Sequence, residues 1–240
     1  AGLKHHVKII SKQEFWDALP DVMYHMDEPL ADASAVALYF LSKEAAGHVK
    51  VVLSGEGADE LFGGYNIYRE PESLKKIAWI PFGVRRVIGK LAAKLPDVKG
   101  RDFLIRAGMK VEERFIGNAY IYREKEKAQI LKNKVTGPST QEYLRPFFEE
   151  LESENRGLLQ DMEKMQSVDL SYWLPGDILQ KADKMSMAHS LEVRVPFLDK
   201  EVFDFAAKLP KEAKIAAGTT KYIFRKAVSE FLPQETDERR

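Results

Sequence analysis

Apolar and polar positions follow two rhythms in the first quarter of the chain and one thereafter. Val7-Lys8-Ile9-Ile10 is a short β-branched run and is expected as a strand. Ser11-Lys12-Gln13-Glu14 follows, with a hydroxyl at the cap and a carboxylate three positions on. That is a capping box, and it predicts a helix to about Met26. Asp27-Glu28-Pro29 ends it, because the residue before a proline avoids the helical region. Asp32 or Ser34 caps the next helix, whose unbroken apolar run from Ala35 to Leu41 predicts burial on most sides. Gly47 closes that helix. Val49-Lys50-Val51-Val52-Leu53 then reads as a strand covered on both faces, as in a parallel sheet. The helix–strand alternation is that of α/β folds.

After Tyr65 no segment shows a strand period, and helical spacing dominates. Val84, Ile88, Leu91 and Leu95 fall on one helical face within 81–95. Gly137 and Pro138 mark a loop between helical blocks. A long helix is expected from Gly157 to Trp173, with Met162, Met165, Tyr172 and Trp173 on its apolar face. Asp169 shares that face, so its carboxylate needs a partner, either a helix cap or an arginine. Residues 174–199 mix Asp177, Asp183, Glu192 and Asp199 with Lys181, Lys184 and Arg194, which reads as an interior segment with paired charges. His189 within it is expected to pack or hydrogen-bond. Asp199 caps a helix with Val202, Phe205, Ala206 and Leu209 inward. A last helix runs from about Lys221 to Leu232 with Phe224, Ala227, Val228 and Phe231 on one face.

Composition narrows the function classes. Lys+Arg and Asp+Glu both number 37, so net charge gives no sign of nucleic acid or a membrane as partner. The chain has no cysteine, which excludes disulfides, thiolate metal sites and a cysteine nucleophile within it, and fits a cytoplasmic setting. Residues 71–110 carry ten Lys/Arg against three acids, read as a solvated helical face, and 141–163 carry seven acids against two arginines. The two stretches could face each other. The start at Ala1-Gly2-Leu3-Lys4, without Met, and the end at Glu238-Arg239-Arg240 fit a piece of a longer protein.

The candidate chemistry centres on the turn after the second strand, Ser54-Gly55-Glu56-Gly57-Ala58-Asp59-Glu60. Ligands of open α/β sheets bind at the carboxyl ends of strands. Three carboxylates there suit a magnesium–nucleotide site, since Mg²⁺ takes one or two carboxylates plus phosphate oxygens. A capped surface turn with solvated acids fits the spacing equally well. Lys221 opens the last helix, where the helix dipole disfavours a cation. It is either an indifferent surface charge or a partner to phosphate.

Taken together, SGEGADELFGGY at 54–65, DKMSMAHSLEVRVPFLD at 183–199, TTKYIFRKAV at 219–228 and MDEPLADASAVALYFLSK at 26–43 resemble the synthetase domain of glutamine-dependent asparagine synthetases. The resemblance covers roughly residues 5–235. It implies a carbon–nitrogen ligase that adenylates the side-chain carboxylate of aspartate with ATP and Mg²⁺, releases pyrophosphate, and lets ammonia attack the aspartyl-AMP. Ammonia would come from glutamine through an N-terminal glutaminase domain that this chain lacks. By motif position, Ser54 and Gly55 contact the nucleotide, and Asp59 binds Mg²⁺ and pyrophosphate. Glu56 handles the proton of the attacking nitrogen, Glu60 lies near the ammonia path, and Lys221 offsets the charge of the departing pyrophosphate. Asp183, Lys184, Glu192 and Arg194 are motif residues expected to support these from behind.

The implied fold is α/β and predominantly helical here. It is part of a parallel-sheet nucleotide-binding domain lacking its first strands, over 1–65, followed by a mainly helical part over 66–240. The family's phosphate loop, Ser-Gly-Gly-x-Asp-Ser, does not occur in these 240 residues, so the chain by itself is expected to be inactive. Alternatives are a related ligase for another carboxylate, of the β-lactam synthetase kind, or a non-catalytic helical scaffold. A homo-oligomer is compatible with the resemblance.

Overall fold

In the computed structural model, residues 4–28, 32–118, 122, 124–133 and 137–233 are described. By its internal contacts the chain forms two compact units, Ala1–Gly64 with Leu170–Arg240, and Tyr65–Asp169. The chain leaves the first unit at Tyr65 and returns to it at Leu170.

In the first unit, α1 (Lys12–Met26) begins as its capping box dictates. Ser11 Oγ accepts from Glu14 N–H at 3.2 Å, and Glu14 accepts from Ser11 N–H at 2.8 Å. With Lys8 bonded to it as well, Glu14 is held down at a pKa of about 2. The helix stops at Asp27, whose φ of 64° is left-handed; Pro29 lies outside the described residues. α2 (Ser34–Ala46) has Ala33 at its N-cap, which makes no side-chain cap bond, while Asp32 Oδ1 just before it accepts from Ser34 N–H at 2.8 Å. Its apolar run is buried on one side only. Ala35 and Val36 are sealed, whereas Leu41 is 58% exposed. The sealed face meets Ala18, Val22 and Met26 of α1 and Met185 in one core.

The Val7–Ile10 run is irregular rather than a strand, exposed up to Ile9, and among the described residues no strand lies beside it to complete its hydrogen bonds. β1 (Val51–Leu53) does form, two residues shorter than expected, and pairs in parallel with β2 (Glu192–Arg194). The register sets Val51 against Glu192, Val52 against Val193 and Leu53 against Arg194. β2 corrects the expectation that no strand follows Tyr65. Three residues of charged–apolar–charged sequence are too few to display a period. β1 is also not covered on both faces, since Leu53 is 74% exposed.

The second core of this unit gathers Leu61 and Phe62 with Val202, Ala206 and Leu209, and with Ile223 and Phe224. Asp199 caps the helix Lys200–Ala207 as expected, accepting from Glu201 N–H at 2.9 Å, but Phe205 points outward. The last helix is shorter than predicted, Tyr222–Val228, and packs through Ile223 and Phe224. Ala227 and Phe231 are exposed, so its inward face is rotated from the predicted one. His189 packs as expected, its ring 4.4 Å from that of Tyr39, and burial lowers its pKa.

In the second unit, the helix Phe82–Ala92 corrects the predicted face. Val84, Leu91 and Leu95 are about half exposed, and the packed side is Gly89 and Ala92. A Cβ on Gly89 would sit 3.0 Å from the carbonyl oxygen of Leu104, and one on Gly108 would sit 2.6 Å from that of Arg85. The helices Phe82–Ala92 and Arg101–Ala107 therefore meet backbone to backbone. Close approach selects small residues there, which an apolar-period reading cannot see. The lysines of the basic stretch are solvated as expected, but its arginines are engaged. Arg86 bonds Glu113, Arg106 bonds Glu70, and Arg85 donates to two carbonyls. Acids of 141–163 are met by Arg114 and Lys164, outside that stretch.

The predicted helix 157–173 begins later, at Asp161, and from Asp169 to Leu179 widens into a π-type helix containing Pro175. Asp169 is fully buried. Its partners include a tyrosine and an asparagine. Tyr68 Oη donates at 2.6 Å, and Asn118 donates through its backbone N–H at 3.1 Å and Nδ2 at 2.7 Å. Replacing a buried acceptor strands its donors, so Asp169→Ala is expected to cost about 3 kcal/mol in urea unfolding.

Candidate functional site

The acidic turn is built by the strand pair beneath it. β1 ends at Leu53, and Ser54 N–H donates to the Arg194 carbonyl at 2.8 Å, extending the ladder one residue. Arg194 thus positions Ser54 through its backbone, while its side chain bonds Glu192 on the exposed face at 2.9 Å. Gly55 has open space where a Cβ would be. Gly57 has φ +88°, and a Cβ there would sit 2.4 Å from Leu198 Cδ2, so only glycine fits this turn. α3 (Ala58–Phe62) follows at once and carries Asp59 and Glu60.

An aromatic cluster brings Lys221 to this turn. Phe62 on α3 lies 5.4 Å from Phe224 and 6.3 Å from Phe197, and Phe197 lies 5.3 Å from Phe224, measured between ring centres. These contacts pin α3 to the start of the helix Tyr222–Val228. Lys221 Nζ then reaches Asp59 Oδ1 at 2.9 Å. Lys221 sits at φ 52°, a left-handed conformation uncommon for a side-chain-bearing residue. Both side chains are partly open to solvent, and such a pair contributes only about 0–1 kcal/mol. Stability therefore does not explain a strained lysine held against an aspartate. Gly64 makes room for the arrangement, because a Cβ there would lie 1.7 Å from Asp59 Oδ1.

Glu56 is half-buried in the same turn. Desolvation raises its pKa, Lys181 opposes the rise, and the charges of Glu60, Asp59 and Asp177 add to it. Glu60 is buried. Lys181 is the cation inside this acidic group. It bonds Asp32 and lies 3.6 Å from Asp177, with only 6% of its surface exposed. Desolvation and the charge of Asp32 raise Asp177, with Lys181 opposing. Against the cost of its own burial, Asp32 is held below its usual range by bonds from Lys181 and Ser34.

The structure thus gathers Ser54, Gly55, Glu56, Asp59 and Glu60 on one turn and adds Lys221. It places the residues expected behind them differently. Lys184 bonds Asp27, Asp183 is exposed, and the side chains of Glu192 and Arg194 engage each other. The charges that pair here instead are Asp32, Asp177 and Lys181. The signal for the last two was their i,i+4 spacing, with both acid and cation on one helical face.

The donor set fits a magnesium–phosphate ligand. Among the described residues, no three of these carboxylates bring donor atoms within 4.8 Å of one another. One or two carboxylates are the number Mg²⁺ takes when phosphate oxygens and water complete its shell. The neighbouring charges that add to the raised pKa of Glu56 are those a cation would relieve.

Comparison with known proteins bears on which ligand this is. A family model described as asparagine synthase matches residues 1–240. The chain is 49% identical over 234 residues to asparagine synthetase (glutamine-hydrolyzing) 1 of Bacillus subtilis, covering 97% of this chain and 36% of that protein. It is 45% identical over 233 residues to a putative asparagine synthetase (glutamine-hydrolyzing) of Mycobacterium bovis, covering 97% and 35%. With asparagine synthetase (glutamine-hydrolyzing) 3 of Bacillus subtilis it shares 28% identity over 241 residues. The chain spans about a third of the length of the curated relatives it matches. Among the described residues, no helix is long and apolar enough to cross a membrane.

Proposed function

This chain belongs to the asparagine synthase family, and on that premise we propose that it carries half of an ATP site for converting aspartate to asparagine in the full-length protein. The observation that carries the reading is the Asp59–Lys221 pair beside Glu56 on one strand-end turn. In the proposed reaction an oxygen of the aspartate side-chain carboxylate bonds to the α-phosphorus of ATP, and the bond to pyrophosphate breaks. Ammonia then bonds to the acyl carbon of aspartyl-AMP, AMP leaves, and the nitrogen loses a proton. Bound Mg²⁺ would neutralise charge on the phosphates.

Asp59 would supply a carboxylate ligand at the phosphates. Lys221, already beside it, offsets the charge that builds on departing pyrophosphate. Ser54 and Gly55 border the nucleotide, where the missing Cβ of Gly55 lets the backbone come close. Glu56 takes the proton from the attacking nitrogen, and its raised pKa brings it nearer the working pH of a general base. Glu60 lies beside it toward the ammonia path. The phosphate loop, further strands on the open side of β1, and the glutaminase domain belong to the remainder of the protein.

The test is pyrophosphate release by the full-length enzyme with ATP, Mg²⁺, aspartate and ammonia. Asp59→Asn and Lys221→Ala are each expected to slow it by about 10-fold or more, since each removes transition-state charge stabilisation. Near-parental rates in Asp59→Asn would remove its phosphate role. Release that ignores aspartate but follows another carboxylate would reassign the substrate.

A further inference from the structure

A second cluster of ligating side chains lies away from the acidic turn, in the same unit. His6, Glu44 and His48 bring one donor atom each within 4.8 Å of one another, and all three are exposed. Glu44 and His48 stand one turn apart at the end of α2, with Nε2 and Oε1 at 3.3 Å. His6 comes from the irregular segment before α1, and its ring centre lies 4.2 Å from that of His48. A surface ion pair accounts for Glu44 and His48. It does not account for a second imidazole set against the first.

The segment bearing His6 is held in place by its neighbours. Lys8 Nζ bonds Glu14 at 2.6 Å and lies 5.6 Å from the centre of the Phe40 ring on α2. This fixes the chain two residues beyond His6 against the two helices. We propose that His6, Glu44 and His48 form a binding site for Zn²⁺ or a similar divalent transition ion, clasping the N-terminal segment to α2. Two imidazoles and one carboxylate are a set that suits these ions and not Mg²⁺ or Ca²⁺, which prefer oxygen alone. Metal–ligand bonds of about 2.0–2.2 Å in a tetrahedron put donor atoms about 3.3–3.5 Å apart. The Glu44–His48 pair already has that separation, and rotation of the exposed His6 ring closes the rest. Three protein ligands leave a fourth position for water or a further donor.

The site is tested by titrating the full-length protein with ZnCl₂, by calorimetry and by NMR of the histidine ring protons. The expected result is saturable binding of one Zn²⁺ per chain. The His6 and His48 signals move with it, while those of His25 and His189 stay in place. His6→Ala and His48→Ala are each expected to weaken binding by at least about 10-fold, the least that even an outer partner of a metal ligand costs. Zn²⁺ should also raise the melting temperature of the parent and not of His48→Ala, because a ligand stabilises the state it binds. Because the three side chains are exposed, the variants retain the parental fold, which far-ultraviolet circular dichroism checks. Absence of saturable binding would overturn the site. So would binding unchanged in His48→Ala, or binding lost in Glu56→Gln instead, which would put the metal on the acidic turn. Loss in His5→Ala with none in His6→Ala would overturn the ligand set.

Discussion

Glu56→Gln in the full-length enzyme is expected to lower asparagine formation about 10²–10⁴-fold, the range a positioned general acid or base supplies. The substitution keeps the size and one acceptor of the side chain but cannot take a proton from the attacking nitrogen. In the proposed order activation of aspartate precedes that step, so formation of the adenylate is expected to survive. The same change should stabilise the fold near neutral pH. The carboxyl of Glu56 has a raised pKa, chiefly from desolvation, with Lys181 opposing and nearby acids adding to it. A carboxyl with a folded pKa above its unfolded value contributes fully at pH below the unfolded value and loses that contribution as pH rises through the folded one. Above that point the ionised form works against folding. Glutamine removes this cost, so thermal melts should favour Glu56→Gln at neutral pH and converge with the parent in acid. A variant less stable than the parent at neutral pH would contradict the assignment of Glu56 as a strained acid.

Lys181→Met is expected to act on stability and on pH dependence together. Lys181 is buried between Asp32 and Asp177, and removing one partner of a buried ionic group costs about 3–5 kcal/mol. Urea unfolding should show the loss as a lower midpoint at unchanged slope. Lys181 is also the cation that opposes the rise of the Glu56 pKa. Without it Glu56 stays protonated to higher pH, so the acid limb of asparagine formation should move upward. A purely structural lysine would lower stability and leave that limb in place.

These two residues differ in how visible they were beforehand. Glu56 stands in a turn whose glycines, hydroxyl and acids share seven positions, and the motif is legible because its geometry is local. The capping box at Ser11–Glu14 was legible for the same reason. Lys181 has an i,i+4 partner in Asp177, but its bond to Asp32, far away in sequence, is one no spacing rule reports. β2 was hidden because three residues cannot show a period, and its partner β1 looked buried because its residues are apolar, although one of its faces is open. The helix Phe82–Ala92 misled in the opposite sense. Its apolar stripe is exposed, and glycine backbones make the contact. Where packing runs through absent side chains or pairs distant charges, hydrophobic patterning carries no trace of it.

In the proposed reaction Asp59 and Lys221 act on the departing pyrophosphate, while Glu56 acts after it. The most direct test is aspartate-dependent exchange of labelled pyrophosphate into ATP, measured without ammonia in the full-length enzyme. Exchange is expected to persist in Glu56→Gln and to collapse in Asp59→Asn and Lys221→Ala. Undiminished exchange in Asp59→Asn, or exchange lost in Glu56→Gln while Asp59→Asn retains it, would contradict the account.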